Sequence, residues 1–347
     1  QQTTHTMADE NEKDISTIAI TTRELSLDSI LIAQGLEHQK SLRKALLAIA
    51  EATCEISHHL SNYVEHSYAG SQNASGDHQL ELDIACDKEV FSAARRSGVI
   101  ATVASEETPE ETCILDEGVT TPSENETGED ENSDFFSLAC DPLDGSSIID
   151  ANFSVGSIYG LWPGMTLVGR TGREQVAAAV AVYGPRTLLC IAVASHFVIE
   201  ITLVDDRTAW HISQEQMTLL PIGKIFAPGN LRATTEHPKY KALVEYWMEQ
   251  RYQLRYTGGM VPDVYHMLVK GKGIFTNVSS PTAKAKLRLL YEVAPLGLII
   301  ECCGGCAIDA DSDTSVLDIV IDHCDHRLGV CFGGKEEVEI YKKFMFN

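Results

Sequence analysis

The apolar run Phe135-Phe136-Ser137-Leu138-Ala139-Cys140 leads straight into Asp141-Pro142-Leu143-Asp144-Gly145-Ser146-Ser147, and this junction constrains the fold more than any other stretch. The run reads as a short buried strand. It delivers two carboxylates, three residues apart on a Pro-containing turn, to the start of a helix. Asp141 and Asp144 are hard oxygen ligands of the kind Mg²⁺ prefers. Gly145, Ser146 and Ser147 can offer backbone N–H groups to an anion. The plainer reading of the same residues is an Asp-Pro turn capped by Asp144, because Asp, Pro and Gly are ordinary turn residues. The rest of the chain decides between them.

Charge sharpens the question. The 347 residues carry a net charge of −23, which argues against nucleic acid or an anionic membrane as a partner. Such a protein holds an anion only where cations or oriented dipoles reverse the local field, which favours a metal-dependent site. No run approaches the roughly 18 apolar residues of a membrane span. Ten cysteines are too sparse for a disulfide scaffold, and the first residues contain no apolar signal segment. A cytoplasmic location is expected.

Helical spacing of Leu42, Leu46, Ile49, Ile56 and Leu60 predicts a helix over 38–60. The polar, Gly/Ser-rich segment 68–76 reads as a loop. Gly76-Asp77 then leads through Leu82-Asp83 and Asp87 into a helix ended by Gly98. The run 99–104 carries Ser105-Glu106-Glu107 at its end. Residues 108–134 form an acidic, low-complexity loop with no catalytic role.

Strands follow at 155–162, 176–183, 187–194 and 197–204. A turn is read at Phe226–Arg232 and a helix at 240–252, with Leu243, Val244, Trp247 and Met248 on its apolar face. A further helix starts at Pro262, a strand spans 273–277, and a helical run covers 286–303. That run holds Glu292 among apolar residues, where an unpaired carboxylate is costly to bury. The pattern is α/β in layers. Cys302-Cys303-Gly304-Gly305-Cys306 lacks the paired spacing of a structural zinc site. No Walker loop and no Gly-x-Ser-x-Gly occurs.

Four pieces in order, Gly76-Asp77 with Asp83, Ser105-Glu106-Glu107, Asp141-Pro142-Leu143-Asp144-Gly145-Ser146-Ser147, and Lys286-Leu287-Arg288-Leu289-Leu290-Tyr291-Glu292, make the chain resemble the sugar-bisphosphatase family from about residue 40 to 346. Passages such as Leu161-Trp162-Pro163-Gly164, Pro228-Gly229-Asn230-Leu231-Arg232 and Ser280-Pro281-Thr282-Ala283-Lys284-Ala285-Lys286 look like the sedoheptulose-1,7-bisphosphatases within it, rather than the fructose-1,6-bisphosphatases.

The resemblance implies a sugar-phosphatase fold of stacked α/β/α/β/α layers. It divides the chain into an N-terminal arm (1–37), a metal-binding half (38–220) containing the acidic loop, and a sugar-phosphate-binding half (221–347). It implies a homo-oligomer that uses two or three Mg²⁺ to remove the 1-phosphate of a sugar bisphosphate. Asp77, Glu106, Asp141, Asp144, Glu292 and the Leu143 carbonyl match its metal ligands. Asp83 and Glu107 match the residues that orient and deprotonate the attacking water. Asp144, Gly145, Ser146 and Ser147 would hold the phosphate being removed. Asn230, Tyr256 and Lys286 would hold the distal phosphate and sugar, and Arg255 would reach across from a neighbouring subunit. Arg232 could add a cation there.

Three departures stand out. Asn277 replaces a Tyr of the six-carbon enzymes at the distal phosphate. Phe135 and Phe136 replace a Lys-Tyr pair of their AMP site. Residues 61–76 hold no cysteine, so the redox switch of chloroplast relatives is absent. The alternatives are a fructose-1,6-bisphosphatase or dual-specificity enzyme, and a catalytically silent cation-binding scaffold. Asp83 with Glu107 separates the last from an enzyme, because binding alone does not need them.

Overall fold

Ala177-Ala178-Ala179-Val180-Ala181-Val182 has no polar side chain to turn toward water, and a strand of that kind must be covered on both faces. The computed structural model, which describes residues 26–63, 68–72, 78–115, 135–204 and 209–347, shows how. Ala177, Ala179, Ala181 and Tyr183 point into one hydrophobic core. Ala178, Val180 and Val182 point into another on the opposite face.

The first half runs α1 (Leu27–Leu31), a π-helical turn (Ile32–Leu36), α2 (Lys40–Ser61), the ribbon β1 (Tyr68–Gln72) and β2 (His78–Leu80), and α3 (Glu81–Ser97). Eight strands follow: β3 (Ile100–Ser105), β4 (Thr112–Cys113), β5 (Phe136–Asp144), β6 (Val155–Pro163), β7 (Ala177–Tyr183), β8 (Thr187–Val193), β9 (Phe197–Val204) and β10 (Ala209–Gln214). They form one sheet in the order β10-β9-β8-β7-β6-β5-β3-β4. Among the described residues of this sheet, only β3 and β5 pair in parallel.

The second half runs β11 (Ile225–Gly229), α4 (Pro238–Glu249), β12 (Gln253–Leu254), α5 (Met260–Lys270), β13 (Ile274–Asn277) and β14 (Leu287–Arg288). A π-helical turn (Leu289–Val293), α6 (Ala294–Cys302), β15 (Cys306–Asp309), β16 (Arg327–Leu328), β17 (Val330–Gly333) and α7 (Lys335–Met345) complete it. Its main sheet has the order β12-β11-β13-β17-β15. Helices α2 and α3 cover one face of the large sheet, and α5 and α6 lie between the two sheets. Helices α4 and α7 close the far side around Tyr240, Leu243, Trp247 and Tyr341. These are the expected α/β/α/β/α layers.

Several local expectations are corrected. Residues 68–72, read as loop, pair with 78–80 as a two-stranded ribbon, because backbone pairing can override polar composition. The acidic stretch is ordered at its start: β4 lies on the sheet edge, Ile114 is buried, and the Glu111 carboxylate accepts from the Leu167 and Val168 N–H groups. Its remainder, 116–134, lies outside the described residues.

The 226–232 turn begins as strand β11. Pro228 is tolerated there because β12 pairs only with Ile225 and Phe226, so its missing N–H faces an open edge. On α4, Met248 is exposed and Tyr240 takes its place in the core. The 286–303 run starts as a strand, widens into a π-turn and only then becomes α6.

Candidate active site

Asp141 and Asp144 would point to opposite faces of a regular strand, because side chains alternate. A register shift removes that difficulty: Asp141 stands opposite Ile158 and Asp144 opposite Gly156, so three steps on β5 match two on β6. The extra residue brings both carboxylates to one side. The expected turn is therefore a bulge inside a strand, with the Leu143 N–H donating to Asp141 Oδ1 at 3.0 Å. Gly156 serves the same spot. A Cβ there would meet Val261 Cγ1 at 2.2 Å, so only glycine lets the head of α5 approach. The Val261 N–H then donates to Asp144 Oδ2 at 2.6 Å.

The π-turn before α6 supplies Glu292, whose Oε2 accepts the Arg288 N–H at 2.6 Å. Pro295 near the start of α6 has no N–H to continue the regular ladder upstream, and π-turns recur at functional sites. Asp141, Asp144 and Glu292 offer carboxylate oxygens within 4.8 Å of one another, all three residues buried.

Glu106 arrives from the end of β3. Its N–H donates to the Cys140 carbonyl at 3.1 Å, and the turn behind it is closed by Ser105 N–H to Thr108 O. Asp87 on α3 accepts from the Ser105 and Thr108 hydroxyls and so fastens that turn. Glu107 follows, half-buried. Asp83 is buried in the first turn of α3, where the helix end favours an anion. The Ser105 hydroxyl donates to Asp87 Oδ1 at 2.5 Å, which sets α3 against the turn that carries Glu106.

Two carboxylates about 4 Å apart repel by roughly 4 kcal/mol at an effective dielectric of 20. The cluster responds by holding protons. Burial first, then Glu106, Asp144 and Glu292, push Asp141 well above the usual carboxylate range. Burial pushes Asp144 up to about 7, against the Val261 and Met260 N–H groups that favour its anion. Burial and Glu106 push Glu292 up to about 8, with Arg288 opposing them. Arg288 is the cation in this arrangement: it lies 2.6 Å from Glu106, 3.9 Å from Glu292 and 3.5 Å from Asp325. The donors are all oxygens, buried and mutually repelling, a set that fits a hard divalent cation.

A second feature is a cavity of about 340 Å³ lined by Pro228, Asn230, Leu231, Arg232, Tyr256, Asn277, Lys284 and Lys286. It gathers the expected Asn230, Arg232, Tyr256 and Lys286. Both amide hydrogens of Asn230 are engaged, on the Val278 and Ala283 carbonyls at 2.7 and 2.8 Å, so its side chain braces the wall. Arg255 is not among the lining residues. Its guanidinium donates to the Leu254 carbonyl at 2.7 Å and approaches Gln253 Oε1 at 3.4 Å.

Two short segments join cavity and cluster. One runs from Lys286 through Arg288 to Glu292. The other runs from Tyr256 to Val261, its turn held by Asp263 Oδ1 and Oδ2 accepting the Thr257 and Gly258 N–H groups.

Gly145 (φ 87°) turns the chain from β5 into a 3₁₀ helix over Ser146–Ala151. The N–H groups that begin such a helix have no intrahelical acceptor, which leaves Ser146 and Ser147 able to donate. Asp77 lies outside the described residues. Phe136, read as a replaced nucleotide contact, is a buried core residue of β5. The sequence reading missed Arg288, Asp87 and Asp263. Arg288 lay inside a quoted motif. Asp87 follows Asp83 by four positions on one helix, a spacing that puts both on the same face.

The chain matches the family described as fructose-1-6-bisphosphatase, N-terminal domain, over residues 26–215, and the C-terminal domain over 219–346. The chloroplastic sedoheptulose-1,7-bisphosphatase of Chlamydomonas reinhardtii is 44% identical over 311 residues, 88% of this chain and 74% of that protein. A class 1 fructose-1,6-bisphosphatase of Geobacter sulfurreducens is 35% identical over 278 residues, 80% of this chain and 82% of that protein. Among solved structures, a Toxoplasma gondii protein assigned as a sedoheptulose-1,7 bisphosphatase superposes with a TM-score of 0.80. It is 35% identical and covers 93% of this chain and 99% of that one.

Proposed function

The chain belongs to the fructose-1,6-bisphosphatase family, and from that premise we propose that it hydrolyses the 1-phosphate of sedoheptulose 1,7-bisphosphate, releasing sedoheptulose 7-phosphate and phosphate. The observation that carries the reading is the buried Asp141, Asp144 and Glu292 cluster, joined by two short segments to a cavity lined by cations. A substrate with a phosphate at each end matches a site with these two ends. The higher identity to the Chlamydomonas reinhardtii enzyme than to the Geobacter sulfurreducens one supports the seven-carbon substrate.

In this reading Asp141, Asp144, Glu292 and Glu106, with the Leu143 carbonyl and Asp77, hold two or three Mg²⁺. Bound there, the cations supply Lewis-acid stabilisation of the phosphoryl oxygens and a more acidic water. The protein residues do the remainder. Asp83 and Glu107 orient the attacking water and accept its proton. Gly145, Ser146 and Ser147 direct backbone N–H groups at the phosphoryl oxygens. Tyr256, Lys286 and Arg232 hold the distal phosphate and sugar, which fixes the scissile bond in place.

Initial rates of phosphate release from pure sedoheptulose 1,7-bisphosphate and fructose 1,6-bisphosphate, with and without Mg²⁺, test the reading. We expect activity only with Mg²⁺ and a kcat/KM ratio favouring the seven-carbon sugar by about ten- to a hundred-fold, the worth of one charge-assisted hydrogen bond. Equal efficiencies would make the enzyme dual-specific, and a six-carbon preference would replace the reading with fructose-1,6-bisphosphatase.

The proposal includes a homo-oligomer in which Arg255 serves a neighbouring subunit's distal phosphate. A bidentate guanidinium suits that task. Inactive Arg255→Ala chains mixed with inactive Glu107→Gln chains should then regain activity through hybrid sites. No recovery after proven subunit exchange would remove the trans role. It also includes a cytoplasmic location. No disulfide joins any of the ten cysteines, which suits a reducing compartment, and no helix among the described residues is long and apolar enough to cross a membrane.

A further inference from the structure

Residues 278–286 connect β13 to β14 without regular structure, yet the loop is tied down along its length. Asn230 donates to the carbonyls of Val278 and Ala283. Glu236 Oε2 accepts from the Ser280 hydroxyl at 2.7 Å and from the Thr282 N–H at 3.0 Å. Within the loop, the Ser280 N–H donates to the Ala283 carbonyl at 2.8 Å, and the Ala285 N–H to Ser279 Oγ at 2.9 Å. Ala283 and Ala285 are buried while Lys284 and Lys286 are exposed. That alternation puts both lysines on one face of an extended segment, and both line the 340 Å³ cavity with Arg232.

We propose that Lys284 is a specificity-determining residue that binds the far phosphate of the seven-carbon substrate, an inference that rests on the function proposed above. The order along the chain carries it. Glu292 lies in the carboxylate cluster, Arg288 bridges to Glu106, Lys286 reaches the cavity, and Lys284 stands two residues further from the cluster on the same run. A phosphate displaced by one carbon lies further from the scissile end, toward Lys284. Lysine is a compact charge on a flexible stem with three donors, so it can follow such a phosphate. Its acidic neighbours, Glu236 and Asp311, are the groups a phosphate dianion must outcompete. Asn230 and Glu236 then act as positioning residues, because they fix the loop that presents the ammonium group.

The test compares Lys284→Met and Lys284→Arg with the unaltered enzyme on three substrates: sedoheptulose 1,7-bisphosphate, fructose 1,6-bisphosphate and sedoheptulose 1-phosphate, which lacks the far phosphate. The Met variant should lose about ten- to a hundred-fold in kcat/KM on the seven-carbon bisphosphate, mostly through KM. Its loss on the monophosphate should be smaller by about tenfold or more, and Lys284→Arg should recover much of the activity. An equal loss on bisphosphate and monophosphate, or no loss on either, would overturn the role of Lys284. The unaltered enzyme reports separately on the underlying reading: should it prefer fructose 1,6-bisphosphate, the seven-carbon assignment fails. A Met-variant loss confined to bisphosphates would, even then, support Lys284 as a far-phosphate ligand.

Discussion

Asp141→Asn is expected to lower kcat by about a thousand-fold or more, equivalent to roughly 4 kcal/mol of transition-state stabilisation, and to weaken the response to Mg²⁺ in parallel. Asn keeps the shape of the side chain and an Oδ1 that can still accept the Leu143 N–H, so the bulge in β5 should survive. What disappears is a negative charge that, with Asp144 and Glu292, would hold a cation. In the metal-free site an amide is neutral without having to hold a proton as Asp141 does, so the variant's thermal midpoint without Mg²⁺ should match or exceed that of the unaltered protein. Phosphate release over a Mg²⁺ titration, with melting curves with and without Mg²⁺, measures all three effects. Glu106→Gln should also lose turnover and metal response. Unchanged turnover and metal affinity in both variants would end the assignment of this cluster as the metal site.

Arg288→Met should produce the largest loss of stability. The guanidinium is buried and lies 2.6 Å from Glu106. Burial works against its charge, and Glu106, Glu292 and Asp141 more than compensate. Removing one partner of a buried ion pair strands the other, at a cost of about 3–5 kcal/mol.

The sign of the pH dependence follows from the raised carboxylates. Asp144 at about 7 and Glu292 at about 8 hold protons in the folded state that the unfolded chain releases near pH 4. The native state therefore binds more protons between roughly pH 4 and 8, and metal-free stability falls as pH rises through that window. Losing Arg288 removes the group that opposes these shifts, so the variant should fare worse at pH 8 than at pH 6. Mg²⁺ should restore part of the loss by taking over as counter-charge. Melting curves at the two pH values, with and without Mg²⁺, check this. A variant that melts like the unaltered protein at pH 8 without Mg²⁺ would show that Arg288 does not neutralise the cluster.

Strands β6 to β9 were legible because their apolar runs are long and bounded by turn residues, and α2 because its apolar stripe repeats at helical spacing. The elements misread were short or rich in turn formers. β11 contains Pro-Gly, and nothing local says that its backbone will pair with β13. β14 is two residues long and exists because Arg327–Leu328 lies beside it. In each case a partner distant in sequence supplies the hydrogen bonds, and propensity gives way.

The site divides in the same way. Residue type and order alone determined that this chain carries a set of carboxylates that fits a metal site, because Asp and Glu chemistry belongs to the side chains themselves. Position was a different matter. That Asp141 and Asp144 share a side depends on a bulge opposite Gly156, which no periodicity in the sequence marks. That Arg288 is the counter-ion depends on β14 turning it toward Glu106, a residue 182 positions away by number. That the Asn230 side chain braces a loop follows from two carbonyls, Val278 and Ala283, which consume both of its amide hydrogens. A side chain's chemistry is fixed by its covalent structure, but its partners and its burial are set by segments that meet only when the two sheets and the helices between them have packed.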